Sequence, residues 1–320
     1  MAGGPRSLAR PSPRRPRPSA VRRLLSRKVA VVCLAVIAIV YLAGLFAPLA
    51  APYGFNDIDL DNTFAGPSLD HPFGTDRLGR DVLSRVMWSA QTTVIVSAAA
   101  VLSGGIVLGV GLGLLSGYVG GRLDTFIMRV GDAFFALPDI LLLIIIVATV
   151  RDRVVDVFRE VEGWSGVGGI VSSGAPDYIL IFTALALFGW VGMARVIRSQ
   201  VLAIRESDYV LAARAMGAST WRILFRHLLP NVSNIVIVSV SSSLGIAAAA
   251  EVGLSFLGIG VRPPHPSFGA MIFDTAGPRN ILAHPNLIFI PSAVIASLLF
   301  AFALLGDALN DVLSPRRRIA

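Results

Sequence analysis

Six stretches of this chain are long and apolar enough to cross a lipid bilayer, and that constrains the fold before any motif is read. They run roughly from Val29 to Leu49, Thr92 to Tyr118, Thr125 to Val150, Tyr178 to Ala194, Pro230 to Gly258 and Leu287 to Leu305. Each reaches or approaches the ~20 apolar residues that a ~30 Å hydrocarbon core demands of a helix. The fourth is the shortest, and a continuation past Arg195 requires that side chain to snorkel. An all-α, polytopic membrane protein with six transmembrane helices is expected. Composition agrees: 54% hydrophobic residues and a mean hydropathy of +0.72 make a soluble domain a poor fit.

The net charge of +8 does not indicate nucleic-acid binding. Residues 1–28 hold nine Arg/Lys and no acid, and the remainder carries 19 basic against 20 acidic residues. The basicity belongs to a Pro/Arg/Ser-rich tail, which cannot bury a core and is expected to be disordered. No aromatic residues interleave with its arginines, so its expected role is topological, with anionic lipid as a secondary contact. The single Cys33 lies in an apolar run and offers neither a disulfide framework nor a metal site.

Orientation follows from the basic residues. They cluster in the tail, in the loop from Arg195 to Leu229, and at Arg316, Arg317 and Arg318, whereas Ala51–Ala90 is rich in Asp. With six spans those basic regions share one side, so both termini are expected to be cytoplasmic. A rival reading of the first span is a cleaved export signal, with small residues at Ala47-Pro48-Leu49-Ala50-Ala51. Its apolar run is longer than a signal core, which favours an uncleaved anchor.

The loop Arg205–Asn231 is the most specific segment. Tyr209, Ala212, Ala213 and Met216 recur at helical spacing, and Gly217 supplies the left-handed residue that commonly ends a helix. A second amphipathic run, Trp221 to Leu229, leads to Pro230. A loop with its own small-faced helix is suited to being gripped by another protein. It resembles the cytoplasmic signature of binding-protein-dependent ABC importer permeases: Glu-Ala-Ala, three residues, Gly, nine residues, an aliphatic, one residue, Leu-Pro. Ala212, Ala213, Gly217, Leu229 and Pro230 fall on that pattern, while Leu211 stands where the family has Glu and His227 where it has the aliphatic residue. The resemblance implies an ATPase-coupling loop formed by Tyr209, Leu211, Ala212, Ala213, Arg214, Gly217, Ala218, Trp221 and Pro230. The Leu211 departure removes one ion pair with an ATPase.

Further blocks resemble the permease subunits of peptide- and nickel-type importers, the dipeptide/oligopeptide permease C kind. They are His71–Arg85 (HPFGTDRLGRDVLSR), Leu254–Ala270 with its Pro263-Pro264 and Pro266, and Leu304–Asp311. Read from the residues alone, Gly74, Gly79 and the Asp/Arg alternation of 76–85 indicate a turn and a short charged helix on the outer surface. Its charges pair with each other or meet a partner. The proline cluster marks the outer end of span five and a return loop. In an importer that outer surface is where a substrate-binding protein would land.

Within the membrane, Gly105, Gly109, Gly113 and Gly117 form an i, i+4 ridge in span two, suited to close packing within the subunit or against a second permease. Span five carries many serines; Ser239 and Ser242 either line a polar path or bond their own helix. Glu251 is an acid deep in apolar sequence, which defaults to a place on the translocation path unless it sits at the water boundary. Asp132 and Asp139 flank Pro138, either capping a broken helix or facing the path.

No phosphate loop, His-Glu-x-x-His or Gly-x-Ser-x-Gly occurs, and the four histidines have no metal-ligand spacing. The chain is therefore expected to be a transport subunit, not an enzyme, binding no cofactor itself. The expected division is a basic cytoplasmic tail over 1–28, a first transmembrane helix over 29–50, and an extracytoplasmic segment over 51–90. A permease core over 91–310 contains the 205–230 coupling loop, and a cytoplasmic tail covers 311–320. The resemblance implies a homologous second permease, two ATP-binding subunits that hold ATP and Mg, and an extracytoplasmic binding protein in the bacterial cytoplasmic membrane. The expected cargo is a di- or oligopeptide, with a nickel chelate or another small solute as the alternative. From another class, an ATP-independent secondary transporter predicts two symmetric halves, and no such repeat is visible; a scaffold without transport remains a third reading.

Overall fold

A computed structural model of the chain describes residues 20–136 and 138–313. The tail over 1–19 and the arginines at 316–318 lie outside the described residues. Helices account for the architecture: α1 (Ala20–Leu25), α2 (Lys28–Leu45), α3 (Ala47–Ala50), α4 (Val82–Ala100), a π-helical segment (Val101–Val110), α5 (Gly111–Val119), α6 (Gly121–Phe135) and α7 (Asp139–Ser165) come first. Then follow α8 (Ala175–Ile204), α9 (Asp208–Ala215), α10 (Thr220–Ile223), a second π segment (Leu224–Leu228), α11 (Leu229–Phe256), α12 (Phe268–Thr275), α13 (Pro278–Ala283) and α14 (Asn286–Leu313). Five helical runs are long and apolar enough to span, up to six if the bent α6–α7 pair is one span. An all-helical solution is what lipid enforces, since a helix satisfies its own backbone where no water can.

The spans differ from the sequence reading in three places. Span two begins at Val82, and its 38-residue run takes in residues 82–85 of the segment expected to form a turn and a separate short charged helix. Asp81 caps that run, accepting the Ser84 N–H at 2.7 Å. Span three is broken: Pro138 adopts ψ 120°, α7 starts afresh at Asp139, and the two helices meet at 85°. The two aspartates there part company. Asp132 pairs with Arg195 at 2.7 Å, while Asp139 accepts the Ile140 N–H at the start of α7. Finally, Pro230 does not open a new helix. Thr220–Phe256 is one helical run of 37 residues. Proline cannot donate to the preceding turn, and the chain widens into the π segment just before it; the Asn231 side chain donates to the His227 carbonyl at 2.7 Å.

The centre of the molecule is α8, which packs against α4, the first π segment, α5, α7 and α11. Arg195 lies within α8, so the fourth span does continue past it. The first span, α2, packs on α4 and α14, with Val40 in a cluster with Val86 and Phe302. Residues 20–25 of the basic tail, expected to be disordered, form α1, and Arg27 pairs with Asp311 at 2.8 Å. Between the first two spans, Asp59 accepts the Asp61 N–H and the Asn62 side-chain amide. Those bonds hold its carboxyl below the ordinary range.

Candidate functional site

Span two meets α8 along a seam of glycines. A Cβ on Gly109 would stand 2.6 Å from the Met193 Cβ, one on Gly113 2.7 Å from the Ala194 carbonyl oxygen, and one on Gly117 2.8 Å from the Val201 Cβ. The ridge therefore packs within the subunit, not against a second permease. Gly105 is not part of it: its Cβ would find only ordinary contacts, 3.5 Å to Val101 and 3.9 Å to Met193. Gly104 takes its place, with the Ala186 carbonyl oxygen at 2.5 Å. The π segment causes the offset. A π turn advances one residue further than an α turn, so the seam steps five residues from Gly104 to Gly109 before resuming steps of four.

Displaced from the seam, Gly105 lines a cavity of about 550 Å³ between spans two, three, four and five. Its wall is largely apolar, with Phe134, Phe135 and Phe188, interrupted by Ser239, Ser242, Ser243 and Asp139. The serines divide between the two roles the sequence left open. Ser242, also on the cavity wall, donates to the Val238 carbonyl of its own helix at 3.4 Å and Ser241 faces the Phe302 carbonyl on α14, while Ser239 and Ser243 line the cavity without a hydrogen-bond partner among the described residues. Glu251 does not line the cavity and is not at a water boundary. It is 0% exposed and joins span five to span two, accepting from the Thr93 hydroxyl at 2.8 Å and the Ser255 hydroxyl at 2.9 Å. The cavity wall contributed by Gly189 and Gly192 was missed from sequence. Both lie in an apolar run off any ridge spacing, and a Cβ on either would meet nothing within 4 Å.

The loop after α8 is built as a rigid projection. Gly217 takes φ +77°, and the helix α9 closes on a paired cap, Ala218 N–H to the Ala213 carbonyl and Gly217 N–H to the Arg214 carbonyl, each at 3.0 Å. Val210 and Ala213 turn inward against Ile223 and Leu224, with Ala218 packed beside them. Of the helical face read from sequence, Tyr209, Ala212 and Met216 point outward, together with Leu211 and Trp221, and Ala213 alone is turned in. Met216 is 81% exposed and Trp221 64%, Trp221 stacking on Phe225. Arg214 lies over the Tyr118 ring at 5.3 Å, fastening α9 to the end of span two. Pro230 is exposed about three turns into the continuous helix.

On the far side of the spans, ion pairs bind the loops to the helix ends. Arg151 grips Asp177 through three contacts of 2.6–2.9 Å, and the Arg262 N–H adds a fourth bond to the same carboxylate at 3.2 Å. Asp76 accepts Arg80 at 2.8 Å and Arg85 at 2.7 Å, so the charges of 76–85 do pair with one another.

Comparison with known proteins gives this architecture its context. The family model described as "Binding-protein-dependent transport system inner membrane component" matches residues 109–319, and the "N-terminal TM domain of oligopeptide transport permease C" matches residues 18–67. The oligopeptide transport system permease protein OppC of Bacillus subtilis is 34% identical over 300 residues, covering 93% of this chain and 89% of that protein. The dipeptide transport system permease protein DppC of the same organism is 35% identical over 297 residues, covering 93% and 85%. The glutathione transport system permease protein GsiD of Pectobacterium atrosepticum is 34% identical over 296 residues, covering 92% and 89%. With that agreement along nearly its whole length, the chain belongs to the inner membrane components of binding-protein-dependent transport systems, as a multi-pass permease subunit of the peptide-type ABC importers in the bacterial inner membrane.

Proposed function

We propose that this chain forms part of the path by which di- or oligopeptides enter the cytoplasm, driven by ATP hydrolysed on partner subunits. The observation that carries the cargo class is the cavity. At about 550 Å³ it lies within the range of small-ligand sites, and its largely apolar wall tolerates varied side chains. The hydroxyls of Ser239 and Ser243, unpartnered among the described residues, offer hydrogen bonds to a peptide backbone, which every cargo of this class presents. The names of the relatives, oligopeptide, dipeptide and glutathione permeases, point the same way.

The remaining parts follow from that role. The exposed apolar face of α9 and α10 is the docking surface for an ATP-binding subunit, ATP and Mg being held there and not on this chain. A homologous permease closes the open side of the cavity, and a binding protein delivers cargo from outside. Both termini and the 205–230 loop are cytoplasmic, and residues 51–81 face outward, because the basic residues cluster on one side. Closure of the ATP-binding subunits moves α9, and α9 moves the spans.

Reconstitution with the partner subunits tests the reading. Proteoliposomes are offered labelled dipeptide, longer peptide, glutathione or a nickel chelate, with ATP inside or absent. ATP-dependent peptide uptake is expected. Uptake of the nickel chelate alone replaces the cargo, and uptake without the ATP-binding subunits replaces the mechanism. For orientation, single cysteines in a Cys33→Ser background are labelled in intact cells with an impermeant reagent; reaction at position 70 and not at 214 is expected, and the reverse sinks the topology.

A further inference from the structure

A second, smaller opening lies away from the cavity and shares no residue with it. It measures about 30 Å³ and sits between the 64–85 segment, α12 and α13. Arg77, Arg80 and Arg85 line it, with Asp76, Asp274 and Asn280. Two of these guanidiniums are nearly enclosed, Arg80 at 6% and Arg85 at 5% exposure. Charges so placed need partners, and both rely on one carboxylate. Asp76 is saturated: one oxygen accepts the Leu78 and Arg80 N–H groups at 2.8 and 3.1 Å, the other Arg80 Nε at 2.8 Å and Arg85 Nη1 at 2.7 Å.

What remains is unspent donor capacity. A guanidinium carries five N–H donors, yet Arg80 and Arg85 each give one side-chain bond. Arg85 Nε is buried with no partner at all. Arg77, exposed at the rim, makes no ion pair or hydrogen bond among the described residues, and neither does Asp274. Three cations thus face two anions, one of them fully used. The missing component is a carboxylate, whose planar pair of oxygens matches the guanidinium fork.

We propose that this pocket is a docking socket for an acidic side chain of the extracytoplasmic binding protein. The inference rests on the importer reading above, which puts the 64–85 segment on the outer face. The size of the opening selects the source: about 30 Å³ accepts a carboxylate head but not a peptide, and the pocket does not open into the cavity where cargo passes. Recognition of acidic groups by clustered arginines is a recurring docking mode.

The test uses the assembled transporter in nanodiscs and the purified binding protein of the same system, loaded with labelled peptide. Arg77→Glu and Asp274→Asn are chosen because both side chains are exposed and make no hydrogen bond or ion pair among the described residues, so folding is spared. Arg77→Glu is expected to weaken association about tenfold at low salt, and Asp274→Asn to tighten it, with ATP hydrolysis in the absence of binding protein unchanged. A Lys substitution at one acidic residue of the binding protein should restore association with Arg77→Glu. Unchanged association for both variants, against a wild type that binds, overturns the socket and leaves the importer reading intact. If the wild type binds no extracytoplasmic protein, the importer reading falls and takes the socket with it. If Arg77→Glu impairs uptake of free peptides but not of C-terminally amidated ones, with docking unaltered, the carboxylate belongs to the cargo and the proposal is wrong.

Discussion

Glycine does two unrelated jobs in this molecule, one in the seam between span two and α8 and the other at the end of α9. At Gly104, Gly109, Gly113 and Gly117 the backbone is helical and any L residue could adopt it; the obstacle is a neighbouring chain 2.5–2.8 Å from where a Cβ would sit. At Gly217 nothing lies within 4 Å, and the obstacle is the backbone itself, at φ +77°. The first kind of glycine is demanded by a surface, the second by a torsion. In lipid, close approach of helices supplies association energy that apolar burial cannot, so the seam carries the fold. The torsion carries only the direction of one short helix. Damage to the seam should therefore appear as loss of the protein, and damage to the cap as loss of function in a protein that is still there.

The comparison can be broken by substitution, beginning where most is at stake. Gly109→Leu should abolish recovery of a monodisperse subunit in detergent, since its side chain has no route past Met193 and the Trp190 carbonyl. A well-folded subunit that merely failed to bind its partner permease would show that the seam is not internal. Next comes a pair one residue apart. Gly104→Ala should lower thermal stability by about 1–3 kcal/mol, the cost of a methyl forced into a packed interior. Smaller is the strain of Gly217→Val, on the order of 1–2 kcal/mol. That subunit should insert and assemble normally, yet show impaired uptake and ATP hydrolysis no longer stimulated by loaded binding protein. Wild-type uptake and stimulation would remove this loop as the coupling element. Least disturbed is Gly105→Ala, which should leave stability unchanged or raise it by up to about 0.5–1 kcal/mol, because a helical glycine is replaced where space exists. A thermal melt that ranked Gly105→Ala below Gly104→Ala would restore the straight α-helical ridge.

That last pair marks the border of what the sequence discloses. Spans are legible because bilayer thickness imposes a length on any apolar run, and the end of α9 is legible because Gly217 sits after a helical pattern. Phase is not. The pattern Gly105, Gly109, Gly113, Gly117 presumes a uniform helix, and nothing in VLSGGIVLGV announces the wider turn that brings Gly104 to the seam instead. The break in span three was signalled by Pro138, but nothing in the local pattern gave its angle. Facing was legible only in part: Tyr209, Ala212 and Met216 of the expected face are exposed, yet Ala213 is buried with Val210 against Ile223 and Leu224. Pairings such as Arg151 with Asp177, or Glu251 with Thr93, join separate elements, and local patterns do not encode them.

The π segment of span two amounts to a joint in the register of the helix. Upstream of it lie Thr93, which holds Glu251, and Arg85, which holds Asp76; Gly104 and Gly109 clasp α8 from within it, and Gly113 and Gly117 from downstream. Each residue of an α-helix turns the chain by about 100°. Removing one residue from the wide turn would therefore re-clock the N-terminal half of the span against the C-terminal half. The seam could stay closed while Thr93 swung off its acid. Because of this joint, the register that places Thr93 on Glu251 is set apart from the one that places Gly113 and Gly117 on α8.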